Sequence, residues 1–243
     1  MRRPMVVVAA VVAVVVLAGL GGAYAYFFSG LRSAPSSLAG TKSSPSAAAQ
    51  PGATSASTLN LVGNWTVSSS SQAGYRVKEQ FAGQSSGHEA VARTSAVSGG
   101  LTIQQTNGGL QATALKFTAQ LASLQSADQV AGFNVSQRDR IVSRTLSVDQ
   151  FPEATFQAQT IDLPASVRSG GTEQVTVPGQ LTIHGVTRPV QAAVQIQTSG
   201  SQAQATGSTT FNMTDFGITP PQVPITTVEP GVVLDFKLVL ARA

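Results

Sequence analysis

Apolar and polar side chains alternate along Val190-Gln191-Ala192-Ala193-Val194-Gln195-Ile196-Gln197, with only Ala193 departing from the pattern. A period of two residues is typical of a strand that buries one face and leaves the other in water. Two more runs keep this period, one on Leu115, Phe117, Ala119 and Leu121 and a longer one on Val232, Leu234, Phe236, Leu238 and Leu240. The second part of the chain is therefore predicted to be all-β.

Turn-forming sequences lie between these runs and predict consecutive antiparallel hairpins. They are Asn107-Gly108-Gly109, Ser169-Gly170-Gly171, Ser199-Gly200-Ser201 and Pro230-Gly231. Only residues 125–133 have the pattern of a short helix, with Ser126 as its N-cap and Gly132 near its end. Many strands with so little helix favour a barrel or a sandwich.

The N-terminal residues 5–28 carry no charge and are dominated by Val and Ala. A helix of ~20 apolar residues crosses a bilayer core, and Arg2 and Arg3 would keep the N-terminus cytoplasmic. Residues 1–28 are therefore predicted to form a single transmembrane anchor. Cleavage after Ala25, in the small-x-small sequence Ala23-Tyr24-Ala25, is the alternative. Both interpretations place the rest of the chain outside the cytoplasm.

Residues 29–58 are rich in Ser, Ala, Pro, Gly and Thr and carry only two charges. Such a segment buries too little apolar surface to offset the entropy of ordering, so a disordered linker is predicted. As a flexible coil it would hold the following domain on the order of 30 Å from the membrane. Residues 59–243 remain as the folded domain.

The net charge of +4 comes entirely from the N-terminal part, at Arg2, Arg3, Arg32 and Lys42. The remaining 11 Lys and Arg balance the 11 Asp and Glu, so the net charge of the domain gives no support to nucleic-acid binding. There is no cysteine and there are only two histidines, which argues against a metal site. No resident cofactor is expected.

One predicted strand places a carboxylate among apolar side chains, because Tyr75, Val77, Glu79 and Phe81 share a face. If that face points inward, Glu79 goes with it, and a buried carboxylate needs a partner or a raised pKa. Three environments stay open for Glu79: a ligand head group, an arginine partner, or a rim position in contact with water.

A longer motif identifies a family. The sequence Gly179-Gln180-Leu181-Thr182-Ile183-His184-Gly185-Val186-Thr187-Arg188-Pro189-Val190 closely resembles the signature hairpin of the YceI-like family of bacterial periplasmic proteins. Residues 146–156, residues 210–218 and the closing run to Leu240 resemble further family segments in the same order. The chain departs from the family at residues 138–144, where many members continue Arg-Asp with a histidine that is absent here.

The resemblance implies a lipocalin-like, extended antiparallel β-barrel of about eight strands, whose apolar interior holds a polyisoprenoid, a quinone or a similar lipid tail. Each buried CH₂ of such a tail contributes ~0.8 kcal/mol. Candidate wall residues are Tyr75, Val77, Phe81, Leu115, Phe117, Phe133, Phe156, Phe211 and Phe216. The competing interpretation is that each of these side chains simply packs the core.

Three polar residues are candidates for the barrel mouth or for a head-group contact: Glu79, His184 and Arg188. His184 and Arg188 flank the predicted turn at Gly185, where Arg188 could instead pair with the carboxylate of Glu153 or Asp215. We identify no catalytic residue from the sequence.

The sequence thus favours a membrane-tethered, extracytoplasmic lipid-binding protein of the bacterial cytoplasmic membrane. Two other functions stay open: a solid barrel that serves protein interaction or cell-envelope stress, and a lipid-modifying enzyme that uses Glu79 or His184. Partners are predicted to be the membrane, through residues 5–28, and an apolar lipid, and a homodimer is also considered.

Overall fold

The computed structural model of the chain describes residues 59–83, 85, 87–130 and 136–243. The predicted anchor at residues 1–28 and the predicted linker at residues 29–58 lie outside these residues and stay predictions. Within the described part, every helix is too short or too polar to cross a bilayer.

The described residues form twelve strands and one α-helix. In chain order these are β1 (Gly63–Val67), β2 (Gln72–Phe81), β3 (His88–Thr94), β4 (Val97–Thr106), β5 (Gly109–Gln120), β6 (Gln125–Ser126), α1 (Ser136–Thr145), β7 (Glu153–Leu163), β8 (Thr172–Ile183), β9 (Val186–Ser199), β10 (Gln202–Asn212), β11 (Gln222–Val223) and β12 (Thr226–Arg242). Short 3₁₀ turns lie at Leu121–Ser123, Ala165–Ser169 and Met213–Phe216.

Eight long strands close into an antiparallel barrel. β1 and β2 both pair with the same edge of β12, so they are two segments of one bent strand. β3 and β4 are likewise two segments of a second bent strand, which pairs with the first one. With these segments joined, each strand pairs with the next along the chain, through β5, β7, β8, β9, β10 and β12. β12 then returns to β1 at the pair Trp65 and Arg242. The predicted all-β closed barrel is confirmed.

Hydroxyl groups maintain the sheet where the two bent strands break. Ser71 Oγ accepts a hydrogen bond from the Val239 N–H at 2.9 Å and lies 3.3 Å from the Val239 carbonyl oxygen. At the second break, Thr94 Oγ1 accepts from the Ala96 N–H at 3.0 Å. A side chain thus replaces the ladder bond that the bend removes, as irregular strand positions require.

The up-and-down order places alternate connections at opposite ends of the barrel. The turns at residues 107–108 and 200–201 share one end with Leu59, whose N–H donates to the Arg168 carbonyl at 2.9 Å, and with Ala243, whose N–H donates to the Asn64 carbonyl at 2.9 Å. The tip of the β2–β3 hairpin, helix α1, the β8–β9 turn and residues 213–225 share the other end. We call these the filled end and the open end.

Apolar side chains pack the barrel toward the filled end. Trp65 is 2% exposed and its indole N–H donates to the Leu61 carbonyl at 2.8 Å. The remaining buried members of this core are Leu61, Ile103, Leu110, Val167 and Leu240, and a neighbouring core contains Ala112, Leu115, Ala158, Ile161, Val177, Ala192 and Val194. The inward positions predicted from the period of two thus lie inside.

Two local predictions were wrong. The helix predicted at residues 125–133 lies later, at α1, and Gln125–Ser126 is the short strand β6, which pairs with β3. The carboxylate of Asp139 accepts hydrogen bonds from both the N–H of Ser126, at 3.0 Å, and its hydroxyl, at 2.7 Å. Ser126 therefore binds the N-terminal turn of α1 through Asp139 and does not act as the N-cap of a helix.

The turn predicted at Pro230-Gly231 is also absent, because both residues lie within β12. The β12–β2 register shifts between Val228 and Val232, so the strand bulges at this point. Proline has no N–H to donate to a sheet ladder, and a bulge accommodates it. The other three predicted turns are confirmed at residues 107–109, 169–171 and 199–201.

Candidate functional site

A cavity of about 260 Å³ occupies the barrel toward the open end. Its walls come from β2, β10, β12, helix α1 and the segment that precedes β12. Most of the lining is aliphatic or aromatic, and includes Tyr75, Val77, Phe81, Leu121, Phe211, Ile218, Val232 and Leu234. The barrel is therefore filled at one end and hollow at the other.

Helix α1 presents one apolar stripe to this cavity. Arg138, Ile141, Val142, Thr145 and Leu146 all line it, and their spacing of i, i+3, i+4, i+7 and i+8 places them on one helical face. The same spacing could have revealed the helix from the sequence. The signal is weak because the stripe begins with an arginine and contains only three apolar residues, Ile141, Val142 and Leu146.

β2 turns its predicted apolar face inward. Tyr75, Val77, Glu79 and Phe81 all line the cavity, and Glu79 is only 5% exposed. Of the three environments open for Glu79, the structure selects an arginine partner: Arg138 Nη2 donates to Glu79 Oε2 at 2.9 Å. Among the described lining residues, these two alone carry a charge.

The ion pair belongs to a larger group of polar side chains, which we call the charge cluster: Glu79, Arg138, Asp128 and His88. Asp128 accepts from Arg138 Nη1 at 2.7 Å and from the Val91 N–H at 3.0 Å, and His88 Nε2 lies 2.6 Å from its second oxygen. The cluster thus joins α1 to β2 and β3. Sequence reasoning found only Glu79, because no motif links the other three positions.

Burial and hydrogen bonding shift the pKa values of the two carboxylates in opposite directions. For Glu79, loss of hydration is the largest effect and exceeds the attraction of Arg138, so its pKa is raised above 4.5. For Asp128, burial also opposes ionisation, but hydrogen bonds from Val91, His88 and Arg138 together outweigh it and lower its pKa below 3.8. Glu79 is therefore the cluster carboxylate that protonates more readily.

The same burial also shifts the pKa values of Arg138 and Tyr75. Burial alone would lower the pKa of Arg138, but its bonds and attraction to Asp128 and Glu79 raise it. Loss of hydration raises the pKa of the Tyr75 hydroxyl, so this group remains a neutral donor in the cavity wall. The ionisable groups of the described cavity wall are thus one cation, one carboxylate with a raised pKa and one neutral phenol.

The predicted wall residues divide into three groups. Tyr75, Val77, Phe81 and Phe211 line the cavity. Leu115, Phe117 and Phe156 pack in the apolar core around Ala112 and Val194, and Phe216, 1% exposed, packs beneath the β8–β9 hairpin with Leu181 and Ile183. Phe133 lies outside the described residues.

His184 fixes the β8–β9 turn to the loop that follows α1. Both His184 and Gly185 have positive φ, 53° and 73°, as a two-residue turn of type I′ requires. His184 Nδ1 lies 3.3 Å from the Phe216 carbonyl oxygen and Nε2 lies 3.4 Å from Ser147 Oγ, with the ring edge-on to Phe151 at 5.0 Å. These contacts lie outside the cavity lining.

Arg188 also lies outside the cavity lining. Its Nε donates to the main-chain carbonyl of Asp215 at 2.9 Å. The expected pairing with the carboxylate of Asp215 or Glu153 is thus replaced by a contact to the backbone. Arg188 ties β9 to the 3₁₀ turn after β10.

Residues 65–240 match the family model of the YceI-like domain. The chain belongs to the YceI-like family. This match spans every long strand of the barrel and confirms the resemblance inferred from the β8–β9 hairpin.

Curated relatives match part of the chain. The chain is 33% identical over 96 residues to a UPF0312 protein of Pseudomonas savastanoi pv. phaseolicola, which is 36% of this chain and 47% of that protein. A UPF0312 protein of Shewanella baltica is 29% identical over 120 residues, 46% of this chain and 60% of that protein. The chain thus spans about half the length of the curated relatives it matches.

Two solved structures share the fold. A polyisoprenoid binding domain from Saccharophagus degradans, described as implicated in plant cell wall breakdown, has a TM-score of 0.53 at 16% identity and covers 75% of this chain and 99% of its own. Burkholderia cenocepacia BcnA has a TM-score of 0.50 at 18% identity, over 71% and 98%. At these identities the likeness concerns the fold alone.

Proposed function

We propose that this YceI-like chain is an extracytoplasmic binding protein that holds one apolar lipid tail, such as a polyisoprenoid or a quinone, in the cavity and performs no chemistry on it. In the same proposal residues 5–28 tether it to the bacterial cytoplasmic membrane with the barrel on the outer side. Secretion after cleavage near Ala25 is the alternative location. The observation that carries the proposal is the apolar cavity at the open end.

The size of the cavity favours a slender ligand. An apolar protein cavity of about 150 Å³ already binds benzene, and the cavity here, at about 260 Å³, is larger. Pockets for compact drug-sized ligands span ~300–1,000 Å³. A single lipid tail that enters lengthwise, with the rest of the lipid outside the cavity, fits such a space better than a bulky ring system.

The chemistry of the wall fits a tail that ends in a polar group. Aliphatic and aromatic side chains supply the burial that drives binding at ~0.8 kcal/mol for each CH₂. Tyr75, Glu79 and Arg138 are among the polar groups of the wall that a ligand head or carbonyl would meet. The printed description of the Saccharophagus degradans domain, a polyisoprenoid binding domain of the same fold, supports the same ligand class.

Native mass spectrometry of the full chain, purified in detergent from bacterial membranes, tests this function, with organic extraction to identify the bound species. We expect one apolar lipid for each chain, retained when the detergent is exchanged. A chain that is reproducibly empty, or that carries only exchangeable detergent, would overturn the proposal.

A further inference from the structure

A small hairpin with apolar side chains stands at the mouth of the cavity. β11 pairs with the beginning of β12 through Gln222 with Thr227 and Val223 with Thr226, so that Pro224 and Ile225 form the tip. Residues 217–228 contain no charged side chain. We call residues 222–225 the apolar finger.

The apolar finger is exposed although its side chains are apolar. Val223 is 36% exposed and Ile225 is 52% exposed, and these are the two large apolar side chains that the described part of the chain leaves in water. Both also line the cavity. Exposed apolar groups at a binding site mark a surface that meets another apolar phase or partner.

A basic face borders the same mouth. Gln137, Arg140 and Arg144 are exposed and recur at i, i+3 and i+7, so they share one face of α1. Gln137 also lines the cavity, which places this face beside the opening. Arg144 Nε donates to the Arg140 carbonyl at 3.3 Å, which keeps the second guanidinium along the helix.

We propose that the open end docks on an anionic bilayer, with the apolar finger among the lipid chains and Arg140 and Arg144 at the lipid head groups. This docking rests on the proposed function for its purpose. A lipid tail that passes directly between the bilayer and the cavity is never exposed to water. Apolar insertion combined with basic residues at the head groups is the usual composition of a surface that binds anionic membranes.

The absence of cysteine from the chain permits a site-specific test. In the full chain, Ile225→Cys labelled with an environment-sensitive fluorophore reports on the finger, and Asn107→Cys reports on an exposed turn at the filled end. Each labelled chain is reconstituted in vesicles of phosphatidylcholine alone or mixed with phosphatidylglycerol. Phospholipids brominated in their tails then quench any fluorophore that enters the bilayer core.

We expect the fluorophore at position 225 to be quenched in vesicles that contain phosphatidylglycerol, and the fluorophore at position 107 to stay unquenched. Reversing two charges, Arg140→Glu with Arg144→Glu, should weaken docking by about tenfold or more, given the attraction of each basic residue to an anionic surface. Lys116→Glu, an exposed charge on the outer face of β5, is the matched control and should leave quenching unchanged.

Equal quenching at positions 225 and 107 would overturn the docking. A blue-shifted emission at position 225 without quenching would overturn it as well, because the finger would then be covered by its own cavity or by a second copy. Lipid extraction from the same samples keeps the two proposals separate. A chain that holds its lipid but shows no quenching refutes docking alone, whereas a chain without lipid refutes the proposed function.

Discussion

Asp128 is the residue that holds the charge cluster together. It lies outside any strand or helix, yet its two oxygens meet a main-chain N–H of β3, the guanidinium of Arg138 and the ring of His88. Hydrogen bonds to a charged acceptor are roughly twice as strong as neutral ones. Asp128 therefore anchors the segment between β6 and α1, which the sequence alone suggests to be helical.

We expect Asp128→Asn to lower the free energy of unfolding by about 2–3 kcal/mol at neutral pH, because it removes the charge that Arg138 and His88 face. The pKa of Asp128 is lowered by folding, so its contribution is present above 3.8 and is lost as the pH falls through the folded value. The difference between wild type and variant should thus shrink in acid. Urea unfolding at several pH values measures it.

The control for this prediction is Asp149→Asn, the same change at an exposed aspartate beyond α1. It should leave stability nearly unchanged at every pH. Glu79, whose pKa is raised, contributes stability in acid and loses it at higher pH. Because Asp128 is one of the charges that raise the pKa of Glu79, the variant Glu79→Gln serves as a second background in which the same comparison is made. A pH-independent gap between wild type and Asp128→Asn would contradict the assignment.

Helix α1 is held to the barrel by charged contacts on one side and by apolar ones on the other. Arg138 reaches β2 through Glu79, and Asp139 reaches β6 through Ser126. Ile141 and Val142 pack against the cavity itself, where a ligand would lie. The attachment of this helix therefore depends on its polar contacts more than is usual for a helix on a barrel.

We expect Arg138→Met to loosen α1, because it leaves the carboxylates of Glu79 and Asp128 buried without their cation, a change that costs about 3–5 kcal/mol. Amide exchange of residues 137–145, followed by mass spectrometry, should accelerate while that of β9 stays slow. Arg140→Met, on the exposed face, is the matched control. Adding Glu79→Gln to Arg138→Met should recover part of the loss.

The strands were easier to predict from the sequence than the helix, for one physical reason. A strand that buries one face repeats every two residues, so the inward positions of β9 and β12 are visible over short runs. Even so, the alternation shifts by one residue within β5. Leu110 and Ala112 point inward, and after Ala114, whose φ of 53° makes a bulge, the next inward residue is Leu115. The inward stripe of helix α1 begins with the charged residue Arg138 and contains few apolar residues, so its helical period is a weak signal.

The candidate site was predictable in its β2 wall and unpredictable elsewhere. Local alternation placed Tyr75, Val77, Glu79 and Phe81 on one face, and the structure turns that face to the cavity. Contacts between distant strands decide which aromatic residues pack the solid core and which line the cavity. Phe117 and Phe211 have similar local patterns, but only Phe211 lines the cavity.

At the scale of the barrel, a solid half is combined with a hollow half. A bulky side chain directed into the hollow half should therefore separate binding from folding. Ala119 lines the cavity, so Ala119→Trp should displace the tail segment nearest to β5. Loss of about two buried CH₂ groups weakens binding roughly tenfold. We expect the lipid recovered with the full chain to fall at least that far while the chain stays folded.

The comparison variant is Ala193→Trp, the same replacement on the exposed outer side of β9. Lipid recovery and the midpoint of thermal unfolding should both stay near wild type. If Ala119→Trp instead destabilises the barrel without changing the recovered lipid, the interior has no ligand role, and a protein-interaction module becomes the better description.

The two chain ends of the barrel meet at its filled end, where Leu59 and Ala243 are both bonded to the main chain. In the proposed tethered protein, residues 5–28 would be joined to the barrel at this filled end, away from the mouth. As the predicted flexible linker, residues 29–58 would reach at most about 100 Å, whereas a strand of twelve residues is only about 40 Å long. Such a linker would leave the barrel free to turn its mouth toward its own bilayer.

Shortening that segment to about ten residues would cut its reach to about 35 Å and leave the mouth facing away. Such a chain could dock only on a neighbouring membrane, and vesicles that carry it should cluster where those with the full segment stay dispersed, as light scattering would show. Linker length would then decide whether the protein serves one membrane or bridges two.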